Sequence, residues 1–370
     1  MSIFQKSKST AYLKMQTAKG SPATVAAPDA IDPLNDSGFV QPKGDQIDRG
    51  LIRGGRWPSK QAAGGRWGEG PYNLEIRGSG TPGTEPEFGP LLQTLFGSVL
   101  TNAAGTVADA AATTTEFDSA LDLTVGQLVR VQIGSGYEIR RIATKDGAGP
   151  YAYTVHRAFS QAPADGAVIA AGVTYCHLGS EEAAYFTLEQ YLDGLKLLCV
   201  DGVCEKLDFG ITEKEVIKGT FAIRSISCAE SAVEDPFSPE WDDTEALIGT
   251  SCNLLLDGAA LNMKSMEFSL STRRSRGGIN STGISSLPWL SKFEATCKLT
   301  PWVENASAFA AFFAGTLADI EQTKGTSAGN ILHVLIEDAQ RTGPSIGEED
   351  GDFTWDDPLT ITGGICIGFF

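Results

Sequence analysis

Leu195-Lys196-Leu197-Leu198-Cys199-Val200-Asp201-Gly202, followed by Lys206-Leu207-Asp208-Phe209-Gly210-Ile211, sets apolar side chains on one face to either side of an Asp-Gly step. A period of two is the mark of a strand with one buried face. Asp-Gly between apolar runs predicts a hairpin turn at Asp201-Gly202. The order then returns. Cys252-Asn253-Leu254-Leu255-Leu256 meets Asp257-Gly258 and leads to Ser265-Met266-Glu267-Phe268-Ser269-Leu270, so Met266-Glu267-Phe268 answers Leu207-Asp208-Phe209. This weak internal repeat reads as two related strand sets packed into one sandwich.

Working outward, Gly219 to Ser227, Lys292 to Leu299, Ile331 to Glu337 and Leu359 to Gly368 read as further strands, and Tyr72 to Arg77 alternates in the same way. Thr84 followed by Glu87 has the spacing of a capping box, which predicts a short helix from Pro86 to Phe96 closed by Gly97. A second helix is expected from Pro301 to Leu317, with Phe309, Phe312 and Phe313 on one face. After Leu100 the composition shifts to an Ala/Thr-rich linker over 101–115. Short strands follow at 127–133, 137–143, 151–156 and 167–175. The expected organisation is an N-terminal arm (1–43), a first part of the main domain (44–100), an inserted small all-β domain (101–175) and the second part (176–370).

Composition agrees with many short strands and turns. The 370 residues include 42 glycines and 17 prolines, more backbone punctuation than a helical bundle tolerates. The net charge of −17 argues against a protein that grips duplex DNA, which needs a surplus of Lys and Arg. Nearly all of that charge arises in residues 176–370, where 13 basic residues face 30 acidic ones. The N-terminus lacks the apolar core of a secretory signal, and no stretch is long enough to span a membrane. Seven scattered cysteines without a Cys-x-x-Cys pair read as reduced thiols in a cytoplasmically folded core.

Few constellations point to chemistry. Gly78-Ser79-Gly80-Thr81-Pro82-Gly83 has the letters of a dinucleotide fingerprint, but Pro82 and the late helix start suit a Gly-rich turn instead. The three histidines, His156, His177 and His333, show no zinc-ligand spacing, and no nucleophile elbow or Walker sequence is present. No catalytic, cofactor-binding or metal-binding residues are expected, and no cofactor. Three charged features remain. Glu230 to Glu245 holds seven acids and no base, including Asp242 and Asp243. Arg273, Arg274 and Arg276 open a Gly/Ser-rich loop. Gly54-Gly55-Arg56-Trp57 returns as Gly64-Gly65-Arg66-Trp67, placing a guanidinium beside an indole twice. Arg and Trp are favoured interface anchors, and acidic and basic loops complement each other between copies. These residues are therefore the candidates for inter-subunit contact.

With these residues in view, the chain resembles bacteriophage tail tube (major tail) proteins. The resemblance is carried by Leu74-Glu75-Ile76-Arg77-Gly78-Ser79-Gly80-Thr81-Pro82-Gly83-Thr84-Glu85-Pro86-Glu87-Phe88-Gly89-Pro90-Leu91-Leu92, by Leu195 to Ile223, and by Ser265 to Leu270 with its loop and return strand. It implies a mainly β, sandwich or barrel-forming fold with a flanking helix, in a structural and non-enzymatic virion protein. It further implies hexameric rings stacked into a tube, assembled in the bacterial host cytoplasm, that serves as an acidic-lumen conduit for DNA ejection. The implied partners are other copies of the chain, the tape measure protein and passing DNA in the lumen, and the tail terminator and distal tail proteins, with no membrane insertion. On this pattern 273–287 is a stacking loop and 101–175 an outer-surface module. A distal-tail or decorating protein on the same sandwich is the alternative, followed by a carbohydrate-binding or carbohydrate-cleaving β-protein.

Overall fold

A computed structural model describes residues 9–47, 62–178, 184–250, 253–275, 289–303, 307–349 and 351–370. The protein is mainly β, with curled sheets and two short helices. The spine of the larger sheet is β14 (Lys196–Thr212), where Leu197, Cys199, Leu207, Phe209 and Ile211 are buried. One edge of β14 pairs along its length with β15 (Lys218–Ser231). Its other edge is shared, with β13 (Phe186–Leu192) on the first half and β18 (Met263–Ser275) on the second.

Three arms leave this spine. Beyond β15 lie β4 (Ala62–Glu75) and β3 (Gln41–Ile47). Beyond β13 lie β1 (Ser9–Met15) and β2 (Ala30–Ile31). Beyond β18 come β19 (Trp289–Pro301) and β23 (Asp352–Ile361), which pairs at its start with β22 (Ser345–Glu349) and at its end with β21 (Leu332–Arg341). The sheet forks again at β21. One edge carries β20 (Leu317–Lys324), then β16 (Asn253–Leu256) and β17 (Ala259–Ala260). On the other edge, ahead of β23, sits β24 (Ile365–Phe369), followed by β12 (Gly172–Cys176) and β5 (Ser98–Asn102).

The forks let the sheet fold over itself around α1 (Gly89–Phe96), whose Leu91, Leu92, Leu95 and Phe96 are fully buried. They share one core with Phe209, Phe221, Phe268, Val334 and Phe369. The internal repeat has a physical counterpart here. Phe209 on β14 lies directly opposite Phe268 on β18, with ring centroids 4.7 Å apart.

The second sheet runs β6 (Gly105–Thr106), β11 (Val168–Ile169), β8 (Leu128–Ile133), β9 (Gly136–Asp146), β10 (Tyr151–Val155) and β7 (Glu116–Ser119). A bridge between Val107 and Ser119 brings its two ends together. Val107, Phe117, Val129, Val131, Ile142, Tyr153 and Ile169 form a core of its own. The chain enters this unit from β5 and leaves it into β12, which pair antiparallel as neighbours in the larger sheet.

Several elements differ from the sequence expectations. Asp201-Gly202 makes no hairpin turn, because β14 runs straight through it. Asp201 takes a left-handed φ of 53° and forms a bulge against β13, while its carboxylate accepts the Gly20 N–H. Asp257-Gly258 does turn, with both φ values positive (50° and 82°). The first helix starts at Gly89 and has no capping box, since Glu87 is drawn inward toward Arg77. Gly97 closes it as expected, in the left-handed region at φ 89°. The second helix, α2 (Ser307–Ala314), is half the expected length, because Pro301 ends β19 and Leu317 begins β20. Phe309 packs on Trp355, but Phe313 is exposed. The expected strand from Leu359 to Gly368 is interrupted at Thr362-Gly363-Gly364 and becomes β23 and β24. Residues 9–43 pack into the larger sheet instead of extending from it: Ala11, Tyr12, Leu13 and Val40 are all buried.

Candidate functional site

The outward face of β15, β14, β18, β19 and β23 is polar. Thr220, Asp208, Glu267, Ser269, Thr296, Lys298 and Thr360 point away from the core that Phe209, Phe268, Cys297 and Leu359 fill from behind. Strand alternation produces this division directly, since neighbouring residues face opposite sides. The face is concave and encloses a trough of about 590 Å³. Three of its cations are tied to carboxylates: Lys206 to Asp208 at 2.7 Å, Lys298 to Asp356 at 3.0 Å and Arg224 to Glu205 at 3.7 Å. Lys218 lies opposite Glu75 in the β15–β4 register.

Two hairpins run past the edge of this sheet. The β18–β19 ladder extends from Met263↔Pro301 to Ser275↔Trp289, while the partner β14 stops at Ser271. The β3–β4 ladder reaches Ile47↔Ala62, while β15 covers β4 only from Gly68 onward. Among the described residues, each overhang is thus a two-stranded ribbon.

Among the described residues, one part of each basic motif falls on these ribbons. Arg66 and Trp67 are on the β4 overhang, and Arg273 and Arg274 are on the β18 overhang. Trp67 donates its indole N–H to Glu69 at 2.7 Å and stacks under Arg224 at 5.2 Å. The backbones of Arg66, Arg273 and Arg274 are strand, and their side chains lie outside the described residues. Arg56, Trp57 and Arg276 lie wholly outside them.

The acidic stretch is elsewhere. It crosses β1, where Asp235 accepts hydrogen bonds from Thr10 and Tyr12 (2.9 Å for the latter). Further on, Asp242 accepts the Thr244 N–H and stands 3.9 Å from Arg77 Nε, while Asp243 is exposed. Asp242 therefore faces its own chain, and of the two only Asp243 is free to face outward.

Two buried ionic clusters escaped the sequence reading. Arg77 is flanked by Glu75 at 3.5 Å and Glu87 at 3.7 Å besides Asp242. Burial raises the Glu87 carboxyl to about 7, against the pull of Arg77. The second cluster binds the smaller sheet to the larger. Buried Glu321 on β20 meets Arg157 at 2.6 Å, His156 at 3.5 Å and Arg140 at 3.7 Å. Arg141 reaches Glu337 at 2.8 Å across the same seam. His333, on β21 and fully buried, accepts or shares a hydrogen bond with Thr323, and burial lowers it to about 4. Isolated charges gave no sequence signal, because their partners are up to 196 residues away.

The Gly-rich fingerprint is a packed turn. The Gly78 N–H bonds the Asn330 side chain and Gly80 N–H bonds Gly329 O, and a Cβ on Gly78 would lie 2.0 Å from Gly329 O. No phosphate could be cradled there. Among the described residues, no group of three or more His, Cys, Asp or Glu is placed to hold a metal ion. No helix among them is long and apolar enough to cross a membrane.

A protein-family model described as phage tail tube protein matches residues 6–363, nearly the whole chain. No curated protein matches it.

Proposed function

The chain belongs to the phage tail tube protein family, and from that premise we propose that it closes into hexameric rings that stack into the tail tube. Family membership makes it a structural, non-enzymatic component of the virion tail that assembles with itself and other tail components. The finer reading rests on the two overhanging ribbons. An isolated two-stranded ribbon is marginal in water, so these two call for a neighbouring surface, and a second copy of the chain is the partner that a ring or stack supplies. Arg66 and Trp67 on one ribbon and Arg273 and Arg274 on the other are proposed contacts, together with Arg56, Trp57 and Arg276 of the same sequence motifs and the exposed Asp243 as a complementary charge.

The polar concave face is the proposed lumen lining. A conduit must not grip phosphate, and gripping is driven by free Lys and Arg that release counterions from DNA. On this face Lys206, Lys298 and Arg224 are paired with carboxylates, and Glu267 adds an exposed acid. The proposed lumen is a face of largely neutralised cations with an acidic remainder, over which DNA and the tape measure protein slide. Tail terminator and distal tail proteins would cap the two ends, with assembly in the host cytoplasm. Of residues 101–175, the part that forms the smaller sheet, from Gly105 to Ile169, is the proposed outer module, since Gly172–Cys176 is a strand of the larger sheet.

Electron microscopy of the purified chain tests this. Rings with six-fold symmetry, or tubes, are expected. Monomers alone at high concentration would sink the assembly reading. Replacing Arg273, Arg274 and Arg276 with Ser should leave the far-ultraviolet circular dichroism unchanged and shorten or abolish tubes; unchanged tube length and growth rate would remove the stacking role.

A further inference from the structure

Two cysteine pairs sit at directly opposite positions on adjacent antiparallel strands. Cys199 on β14 faces Cys228 on β15, and Cys176 on β12 faces Cys366 on β24. In the first pair the Cys199 thiol donates to the Cys228 sulfur at 2.9 Å. A disulfide bond is about 2.05 Å long, so closure requires a movement of roughly 0.9 Å. Opposed residues of an antiparallel pair also have Cα separations of about 4.5–5.5 Å, inside the range that disulfides span.

The surroundings make the two sulfurs unequal. Cys199 is fully buried, while Cys228 is partly exposed near the end of β15. The bond donated by Cys199 favours the thiolate of Cys228 and lowers that thiol, and the same bond holds Cys199 in its protonated form. Gly68 on β4 keeps space beside the pair, since a Cβ there would come within 2.8 Å of the Cys228 Cβ. A partly exposed thiol whose pKa is lowered by its neighbour, beside a buried second thiol, is the arrangement of an attacking and a resolving cysteine.

We propose that Cys199 and Cys228 are a redox modification site that closes to a cross-strand disulfide when the chain meets a low-molecular-weight disulfide. The Cys228 thiolate attacks one sulfur of the oxidant R–S–S–R, forming a mixed disulfide and expelling RS⁻. Cys199 then loses its proton and attacks the Cys228 sulfur, expelling the second RS⁻. Two protein thiols are oxidised by two electrons, the small disulfide is reduced to two thiols, and both protons pass to the leaving thiolates. The result staples β14 to β15 near the start of β14 and the end of β15. This chemistry belongs to the folded chain and holds whether or not the ring reading is right.

The Cys176–Cys366 pair provides the comparison, with the same opposition across strands but both sulfurs buried. The full-length chain, reduced and desalted, is incubated with oxidised glutathione, then denatured, alkylated and mapped by mass spectrometry. The expected product has lost two hydrogens (about 2 Da) and yields a peptide linking Cys199 to Cys228 before any linking Cys176 to Cys366. Its Tm should rise by roughly 5 °C and return on reduction. Cys199→Ser should instead keep glutathione on Cys228, and Cys228→Ser should yield neither adduct nor link. Complete alkylation of all thiols after treatment, a lasting glutathione adduct in the unaltered chain, or a link formed first between Cys176 and Cys366 would each overturn the proposal. Because the unaltered chain is decisive, a variant that fails to fold does not spoil the test.

Discussion

Two buried residues give the protein opposing responses to acid. Glu87 is raised from its usual 4.5 to about 7, so the folded chain holds this proton more tightly than the unfolded one. That contribution is present below 4.5 and is lost as pH rises toward 7. His333 is lowered from 6.5 to about 4, so its contribution is present above 6.5 and is lost as pH falls toward 4. Each slope is worth on the order of 3 kcal/mol across its window. Between pH 4.5 and 6.5 they oppose each other. Glu87→Gln should therefore expose a rise of stability with pH in that window, and His333→Gln a fall, both read as urea midpoints at a series of pH values. Two variants with the unaltered pH profile would show that neither side chain titrates as described.

At the level of elements, the Gly78 turn and the Phe209–Phe268 pair carry predictable costs. Gly78→Ala forces a Cβ against Gly329 O, and should destabilise by about 1–3 kcal/mol. Phe209→Ala empties a core position shared by β14 and β18, and should cost about 3–5 kcal/mol. Thermal denaturation measures both, and a change below about 0.5 kcal/mol would contradict the packing described here. These elements also mark what could be read in advance. Strands with a clean period of two, such as Gly219 to Ser227, were legible because one face is buried along their length. The turn at Asp257-Gly258 was legible for the same local reason. Asp201-Gly202 carries the same letters but does not turn, because the β15 ladder runs through it unbroken and the β13 ladder absorbs the extra residue as a bulge. Pro301 to Leu317 was misread because aromatic residues at helical spacing continue into strand residues whose state is set by partners on β18, β21 and β23. The contact candidates Arg66, Trp67, Arg273 and Arg274 were visible as motifs; their place on overhanging ribbons was not, since it depends on where β14 and β15 stop. Glu87 and Glu321 were invisible, as their significance lies wholly in distant partners.

For the whole molecule, the smaller sheet should be removable. Its entry and exit, Asn102 and Gly172, are paired neighbours, so a short Gly-Ser turn replacing residues 104–170 can join β5 to β12 directly. The shortened chain should fold and assemble, with a Tm lowered by several degrees because Glu321 and Glu337 lose Arg157, Arg140 and Arg141. Adding Glu321→Gln should recover part of that loss. Failure of the shortened chain to fold, despite that substitution, would show that residues 104–170 are integral to the main domain.

The ladder order also dictates a timetable for synthesis. The smaller sheet has all its strands once residue 169 has emerged, and its contacts are local enough to form early. The larger sheet cannot follow suit. Its first strand, β1, waits for Leu192 and the rest of β13. Its last, β24, seals the gap between β12 and β21 only when residues 365–369 arrive. Through much of the second half of translation the ribosome therefore carries a finished small sheet beside a large one with open edges. Such edges pair with other chains, so the incomplete sheet is open to mispairing until β24 is in place.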